Sequence, residues 1–266
     1  MKAILNDVTR CTGCEQCVQA CVEANGLGEE LPAVRARPDG LSASRFCSVV
    51  VVSGAAYARK SCLHCLQPAC AEACLVGALR KTPAGPVIYD PDKCIGCRYC
   101  MLACPLAIPR YQWERTLPFV RKCTMCAERI AGGRLPACVE ACPHDAMLFG
   151  DRDALLAEAR RRIRSQPDRY LPHIYGQDEL GGTCVLYISH VPLDVLGWPA
   201  AIGERPLPAY TWPVISKTPV IAVTVAASLS AITWIIRRRM RIAEQEAQLG
   251  PAGPASGDHT QQEQDA

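Results

Sequence analysis

Residues 11–21 read Cys11-Thr12-Gly13-Cys14-Glu15-Gln16-Cys17-Val18-Gln19-Ala20-Cys21, and residues 94–105 repeat the pattern as Cys94-Ile95-Gly96-Cys97-Arg98-Tyr99-Cys100-Met101-Leu102-Ala103-Cys104-Pro105. In each stretch two residues separate successive thiols, twice over, and a fourth thiol follows after three more. Two other groups keep four thiols but lengthen the middle gap: Cys62, Cys65, Cys70 and Cys74, then Cys123, Cys126, Cys138 and Cys142 with Pro143 behind it. Of 18 cysteines in 266 residues, 17 precede residue 143. Three Phe, four Trp and eight Tyr are too few to build an ordinary close-packed core, so metal has to organise this part of the chain.

The spacing separates the possible uses of these thiols. A disulfide scaffold of this density belongs to short secreted proteins, and the run from Met1 to Cys11 leaves no room for an apolar export signal. Zinc takes two C-x2-C pairs in a tetrahedral site, and the third thiol of each C-x2-C-x2-C-x3-C run would then be surplus. That run is the bacterial ferredoxin pattern, in which three close thiolates wrap one corner of a 4Fe-4S cube and the fourth serves a neighbouring cube. Such sharing pairs the groups two at a time, and sixteen thiols fill four 4Fe-4S clusters. Cys47 and Cys184 remain, each in an apolar context that predicts a small buried core residue.

Other cofactors have no recognisable seat. No C-x-x-C-H offers a c-type haem attachment, and neither G-x-G-x-x-G nor G-x4-G-K-[ST] occurs. A net charge of +3 with 21% charged residues excludes both a disordered chain and a strongly basic nucleic-acid binder. Four oxidised cubes on thiolates would shift the formal charge to about −5. Lys93, Arg98, Lys122, Arg121, Arg80 and Lys81 lie beside or between the ligand groups, where a positive charge favours the reduced cluster. His64, inside the second group, either packs in the core or donates to a cluster sulfur.

The fold class expected is α+β: two ferredoxin-like bicluster modules with a single C-terminal transmembrane helix. Residues 1–150 form the cluster domain of two interleaved modules, with strands or hairpins at Cys47–Val52 and Pro86–Tyr89 and a Pro-rich connection at Pro32–Gly40. Residues 151–213 supply a surface helix over 151–164, with a solvated Arg face, and then an extended partner-contact segment through the Pro-rich stretch Val191–Pro213. Residues 214–236 are the transmembrane helix. Its 18 uncharged residues Pro219–Ile236 reach about 27 Å, close to the thickness of a hydrocarbon core. Residues 237–266 are a basic flank, Arg237-Arg238-Arg239-Met240-Arg241, and a tail from Ala243 expected to be disordered. The positive-inside rule keeps the Arg cluster cytoplasmic and places the cluster domain on the periplasmic side of a bacterial inner membrane.

These residues resemble a known family, the four-cluster iron-sulfur subunits of molybdopterin oxidoreductase and membrane hydrogenase complexes. The likeness covers residues 1–150 by ligand spacing. It is carried further by Cys65-Leu66-Gln67-Pro68-Ala69-Cys70, by Lys122-Cys123-Thr124-Met125-Cys126, and by Leu135-Pro136-Ala137-Cys138-Val139-Glu140-Ala141-Cys142-Pro143. Tyr175-Gly176, Gly181-Gly182-Thr183 and the C-terminal helix are similar to the formate dehydrogenase beta subunit and the hydrogenase-2 electron-transfer subunit. Val22 and Leu75 stand where Pro often follows the last Cys, a departure the family tolerates.

The resemblance implies that the first group pairs with the fourth and the second with the third. Cys11, Cys14, Cys17 and Cys142 would hold one cluster, and Cys21, Cys123, Cys126 and Cys138 its neighbour. Cys62, Cys65, Cys70 and Cys104 would hold a third, and Cys74, Cys94, Cys97 and Cys100 the fourth. It further implies an electron-transfer subunit of a respiratory complex, not catalytic alone. The partners would be a catalytic molybdopterin subunit, formate dehydrogenase first and a nickel-iron hydrogenase second, and a membrane cytochrome b or quinone-reactive subunit. With no signal segment before Cys11, export would be alongside a partner that bears one. The competing reading from another class is a structural anchoring module whose clusters only stabilise the fold.

Overall fold

The computed structural model describes residues 1–28, 39–116, 118–193 and 203–249, and the chain divides into two compact units, Met1–Thr211 and Trp212–Ala266. The Pro-rich connection expected from Pro32, the middle of the stretch after Val191 and the tail beyond Leu249 lie largely or wholly outside the described residues.

The first unit is mixed helix and strand. Strand β1 (Lys2–Asp7) is the centre of a three-stranded sheet. It pairs antiparallel with β8 (Met147–Asp151), from Lys2 opposite Asp151 to Asn6 opposite Met147. On its other edge it runs parallel to β9 (Val185–Ile188), Ile4 opposite Val185 and Asp7 opposite Ile188. All four residues of β9 are buried, as a strand covered on both faces requires. Ile4, Leu5, Leu186, Tyr187 and Ile188 are among the largest fully buried side chains of the unit.

The remaining strands are hairpins. Strands β2 (Cys47–Ser53) and β3 (Ala56–Ser61) pair antiparallel with a bulge near Val51, as do β4 (Leu79–Lys81) with β5 (Val87–Tyr89), and β6 (Arg110–Tyr111) with β7 (Val120–Arg121). The short helices α1 (Gln16–Ala24), α2 (Ala69–Glu72), α3 (Tyr99–Ala103), α4 (Ala127–Ala131) and α5 (Ala137–Glu140) lie within or directly after the cysteine groups. Helix α1 packs on α5, and α2 packs on α3.

Helix α6 (Arg152–Ser165) starts after Asp151, at the place the sequence predicts, and packs on β1 and β8 through Leu155, Leu156 and Ala159. Its Arg face is only partly solvated. Arg162 turns inward and donates to Oδ2 of the buried Asp7 at 2.8 Å, and Tyr170 Oη donates to the same oxygen at 2.8 Å. Nor does the chain break at residue 150. Beyond α6, Leu66 donates its N–H to Gly182 O, Cys184 and Val185 donate theirs to Leu63 O, and Arg152 Nε donates to Thr183 O. Residues 176–185 thus brace the loop carrying Cys62 and Cys65 rather than forming a separate segment.

Two sequence expectations are corrected at the C-terminus. The stretch ending at Pro213 is not extended throughout: α7 (Pro208–Ile215) is helical, because Pro208 occupies the first helical position, where a missing N–H costs nothing. The helix of the second unit, α8 (Thr218–Leu249), does not stop at Ile236 but carries the Arg run and residues 243–249, which were expected to be disordered. At 32 residues it is about 48 Å long. Val220, Ile221, Val223, Leu229, Ile232, Ile235 and Ile236 all face outward, and Pro208–Gln248 is apolar and long enough to cross a membrane. The hydroxyls of Thr224, Ser228 and Thr233 bond back to carbonyls four residues earlier, which removes the cost of placing them in hydrocarbon.

Candidate iron-sulfur sites

The backbone of each cysteine group is bent so that it wraps inward. In the first and third groups Gly13 and Gly96 take positive φ, and Glu15 and Arg98 are left-handed N-caps that launch α1 and α3. In the second and fourth groups His64, Met125 and Cys126 take positive φ. Residues of this conformation turn successive backbone N–H groups toward a common centre, the nest that surrounds anionic iron-sulfur sites. At Gly13 the geometry also demands the absence of a side chain, since a Cβ would lie 2.8 Å from the Tyr57 ring.

The structure brings the thiols together across groups distant in sequence. Cys11, Cys14, Cys17 and Cys142 line one cavity, with Arg59 and Tyr57 in its wall. Burial raises the Cys11 thiol, and Cys142 and Cys14 add to the effect. Cys123 acts on Cys21, and Cys123 and Cys126 act on Cys138. Cys65 faces Cys62, Cys104 and Cys70, while Cys100 faces Cys94, Cys74 and Cys97. Cys123 also acts on Cys62, and Cys100 on Cys70. The helix pairs α1 with α5 and α2 with α3 are the scaffold of this arrangement, because they carry Cys17, Cys21, Cys138, Cys70 and Cys100.

Burial pushes the Cys17, Cys70 and Cys138 thiols up to about 12 and Cys100 up to about 11. Iron binding at these four thiols has to displace their protons. Among the described residues no three Cys, His, Asp or Glu side chains converge on a point that would hold a single metal ion. Thiolates at the corners of a 4Fe-4S cube stand further apart than those around one zinc.

The cations foreseen beside the groups behave differently from one another. Lys122 is buried, its Nζ donating to Val87 O and Cys123 O, and it faces Cys62, Cys70 and Cys104. Lys81 Nζ donates to His64 O, Gly85 O and the Cys184 thiol. Lys93 pairs locally with Asp90, Arg98 lies over Tyr111 and Trp113, Arg121 lies over Phe46, and Arg80 is exposed. His64 is fully buried, and burial with Lys122, Lys81 and Arg59 nearby holds it neutral. Its Nδ1 accepts the Val87 N–H at 2.8 Å, so the proton sits on Nε2, which has no partner among the described residues.

Cys47 and Cys184 are buried as expected, but neither is isolated. Cys47 Sγ donates to Cys17 O at 3.7 Å, and its hydrogen bond with Cys21 helps to push the Cys21 thiol up. Sequence reasoning missed Arg59, which is 4% exposed on β3 and faces Cys17, Cys47, Cys123 and Cys138. The one available signal was a charge at an inward position of a strand otherwise carrying Ala56, Ala58 and Ser61 inward.

Wrapped loops, clustered thiols and orphaned donors define an iron-sulfur protein of the 4Fe-4S class. The family described as a 4Fe-4S dicluster domain matches residues 54–152. A protein of Nitratidesulfovibrio vulgaris is 40% identical over 91% of this chain and 69% of its own. The hydrogenase-2 operon protein HybA of Shigella flexneri is 34% identical over 74% of this chain and 72% of its own. The iron-sulfur subunit of the nitrate-inducible formate dehydrogenase of Escherichia coli is 36% identical over 71% and 68%. The chain belongs to this family of iron-sulfur electron-transfer subunits.

Proposed function

We propose that this chain relays electrons through four 4Fe-4S clusters between a catalytic molybdopterin subunit, formate dehydrogenase in the first instance, and a membrane cytochrome or quinone-reactive subunit. The observation that carries the reading is that thiols from groups distant in sequence lie together, Cys142 lining one cavity with Cys11, Cys14 and Cys17. Cys11, Cys14, Cys17 and Cys142 hold the first cluster, and Cys21, Cys123, Cys126 and Cys138 the second. Cys62, Cys65, Cys70 and Cys104 hold the third, and Cys74, Cys94, Cys97 and Cys100 the fourth. Support comes from the cavity lined by the first set and from the facing thiols of the others.

When bound, a 4Fe-4S cluster supplies one-electron chemistry, and the protein sets its potential through charge, hydrogen bonds to sulfur and exclusion of water. The chain's own residues perform those tasks. Lys122 places a buried ammonium beside the third set, and His64 Nε2–H is a donor with no protein acceptor.

The second reading, a nickel-iron hydrogenase partner, is favoured by the likeness to HybA. Elemental analysis of the complex, purified anaerobically in mild detergent through a tag on this chain, separates the two. Iron with molybdenum or tungsten supports the first reading, nickel the second, and zinc in place of iron overturns both. Helix α8, which carries the run from Arg237 to Arg241 beyond its apolar stretch, anchors the chain with its C-terminus cytoplasmic and its clusters periplasmic. Protease accessibility of residues 1–210 in right-side-out spheroplasts tests that orientation, and full protection refutes it.

A further inference from the structure

Among the described residues Arg59 is the one buried guanidinium that faces thiols of two of these sets at once. It stands on β3 opposite Val49, is 4% exposed, and lines the cavity of Cys11, Cys14, Cys17 and Cys142. On its other side it faces Cys123 and Cys138. Nη1 donates to Ser61 Oγ at 2.8 Å, Cys47 also bonds the guanidinium, and Nε has no partner among the described residues.

No carboxylate among the described residues pairs with Arg59. A guanidinium is always protonated, and an unpaired buried charge costs several kcal/mol unless an opposite charge answers it. Among the described residues the groups that answer its charge are thiols: Cys17 of the first set, Cys123 and Cys138 of the second, and Cys47, which belongs to neither; each set would carry about −2 once it holds an oxidised cube. Two clusters would answer the guanidinium charge far more fully than the Cys47 thiol alone. The fixed charge then acts on both neighbours and favours the extra electron on either.

We propose that Arg59 is a positioning residue shared by the first two clusters: its charge, with Nε–H donated to a cluster sulfur, raises both reduction potentials above what the same thiolates would give alone. The inference rests on the cluster assignment proposed above. Lys122 provides an internal contrast, since it faces the third set and its ammonium is answered by the carbonyls of Val87 and Cys123.

The test is an EPR-monitored redox titration of the intact complex carrying Arg59→Met, with iron counted in the same sample. Two of four cluster signals are expected to move at least tenfold toward the oxidised form at a given potential, 59 mV for a one-electron couple, with the other two unmoved. Full iron with four unmoved potentials overturns the role of Arg59 and leaves the cluster assignment standing. Fewer than four reducible centres in the wild-type complex overturns the assignment itself. Should Arg59→Met lose iron, pulsed EPR of the wild-type complex grown on 15N-arginine decides. A 15N coupling on two reduced clusters, abolished in Arg59→Lys, supports the proposal, and its absence from the wild type overturns it.

Discussion

Asp7 joins two parts of the first unit that are far apart in sequence, β1 and the stretch from Arg162 to Tyr170, and replacing it with Ala measures what that junction contributes. Its side chain is 1% exposed. Oδ2 accepts from Arg162 Nη1 and Tyr170 Oη, both at 2.8 Å, and Oδ1 accepts the Thr9 N–H at 3.1 Å. Removing one partner of a buried ion pair costs about 3–5 kcal/mol, chiefly because the other charge is left behind. Arg162 keeps Glu158, whose Oε1 lies 2.8 Å from its Nε, so the lower end applies, about 3 kcal/mol. For a unit of this size that lowers the thermal midpoint by about 6–12 °C. Tyr170→Phe removes a single hydrogen bond and leaves the charges paired, about 1 kcal/mol or about 2–4 °C. The assay is the loss of cluster absorbance on anaerobic heating of the purified complex. A shift for Asp7→Ala no larger than that for Tyr170→Phe would refute the reasoning, because it would mean Arg162 is not stranded.

Four further outcomes follow from particular residues. Gly13→Ala meets the Tyr57 ring and a φ of +78°, so the complex is expected to lose the iron of one cluster while keeping the rest, which iron analysis reads directly. Glu158 is held down to about 2 by hydrogen bonds from Arg161 and Arg162. A depressed carboxyl stabilises the fold above its unfolded value of about 4.3 and loses that contribution as pH falls toward the folded value, so the midpoint gap between wild type and Glu158→Gln is level from pH 8 to about 5 and narrows below it. Truncation before Trp212 removes the apolar helix and is expected to move the chain from the membrane to the soluble fraction on ultracentrifugation. Stripping iron with chelator under oxidising conditions should abolish the cooperative thermal transition of the first unit, and a metal-free chain with dispersed amide signals in NMR would contradict this.

The sequence carried the local features well and the long-range ones poorly. The iron-sulfur class was legible because cluster ligation is a matter of short spacing, and the strands beginning at Cys47 and near Val87 because β-branched runs bounded by Gly and Pro have few alternatives. The parallel pairing of β1 with β9 was not legible, since Ile4 and Val185 are joined only through the folded core. Arg162 read as one more solvated Arg because its partner, Asp7, lies at the other end of the unit. Arg59 was invisible for a related reason: no spacing ties it to a ligand group, and only the hairpin of β2 and β3 carries it between two of them. The end of α8 was misplaced because a charge run was taken as a boundary, whereas Arg favours helix nearly as well as Leu, and Arg238 continues by lying over the Trp234 ring.

The central claim is that one chain holds four one-electron centres. The most direct measurement is iron content per chain combined with an EPR redox titration of the anaerobically purified complex. The account predicts about sixteen iron atoms, four to a cube, and four cluster signals that titrate as separate one-electron couples. Eight or fewer iron atoms per chain, or a full complement of iron that stays redox-silent, would contradict it.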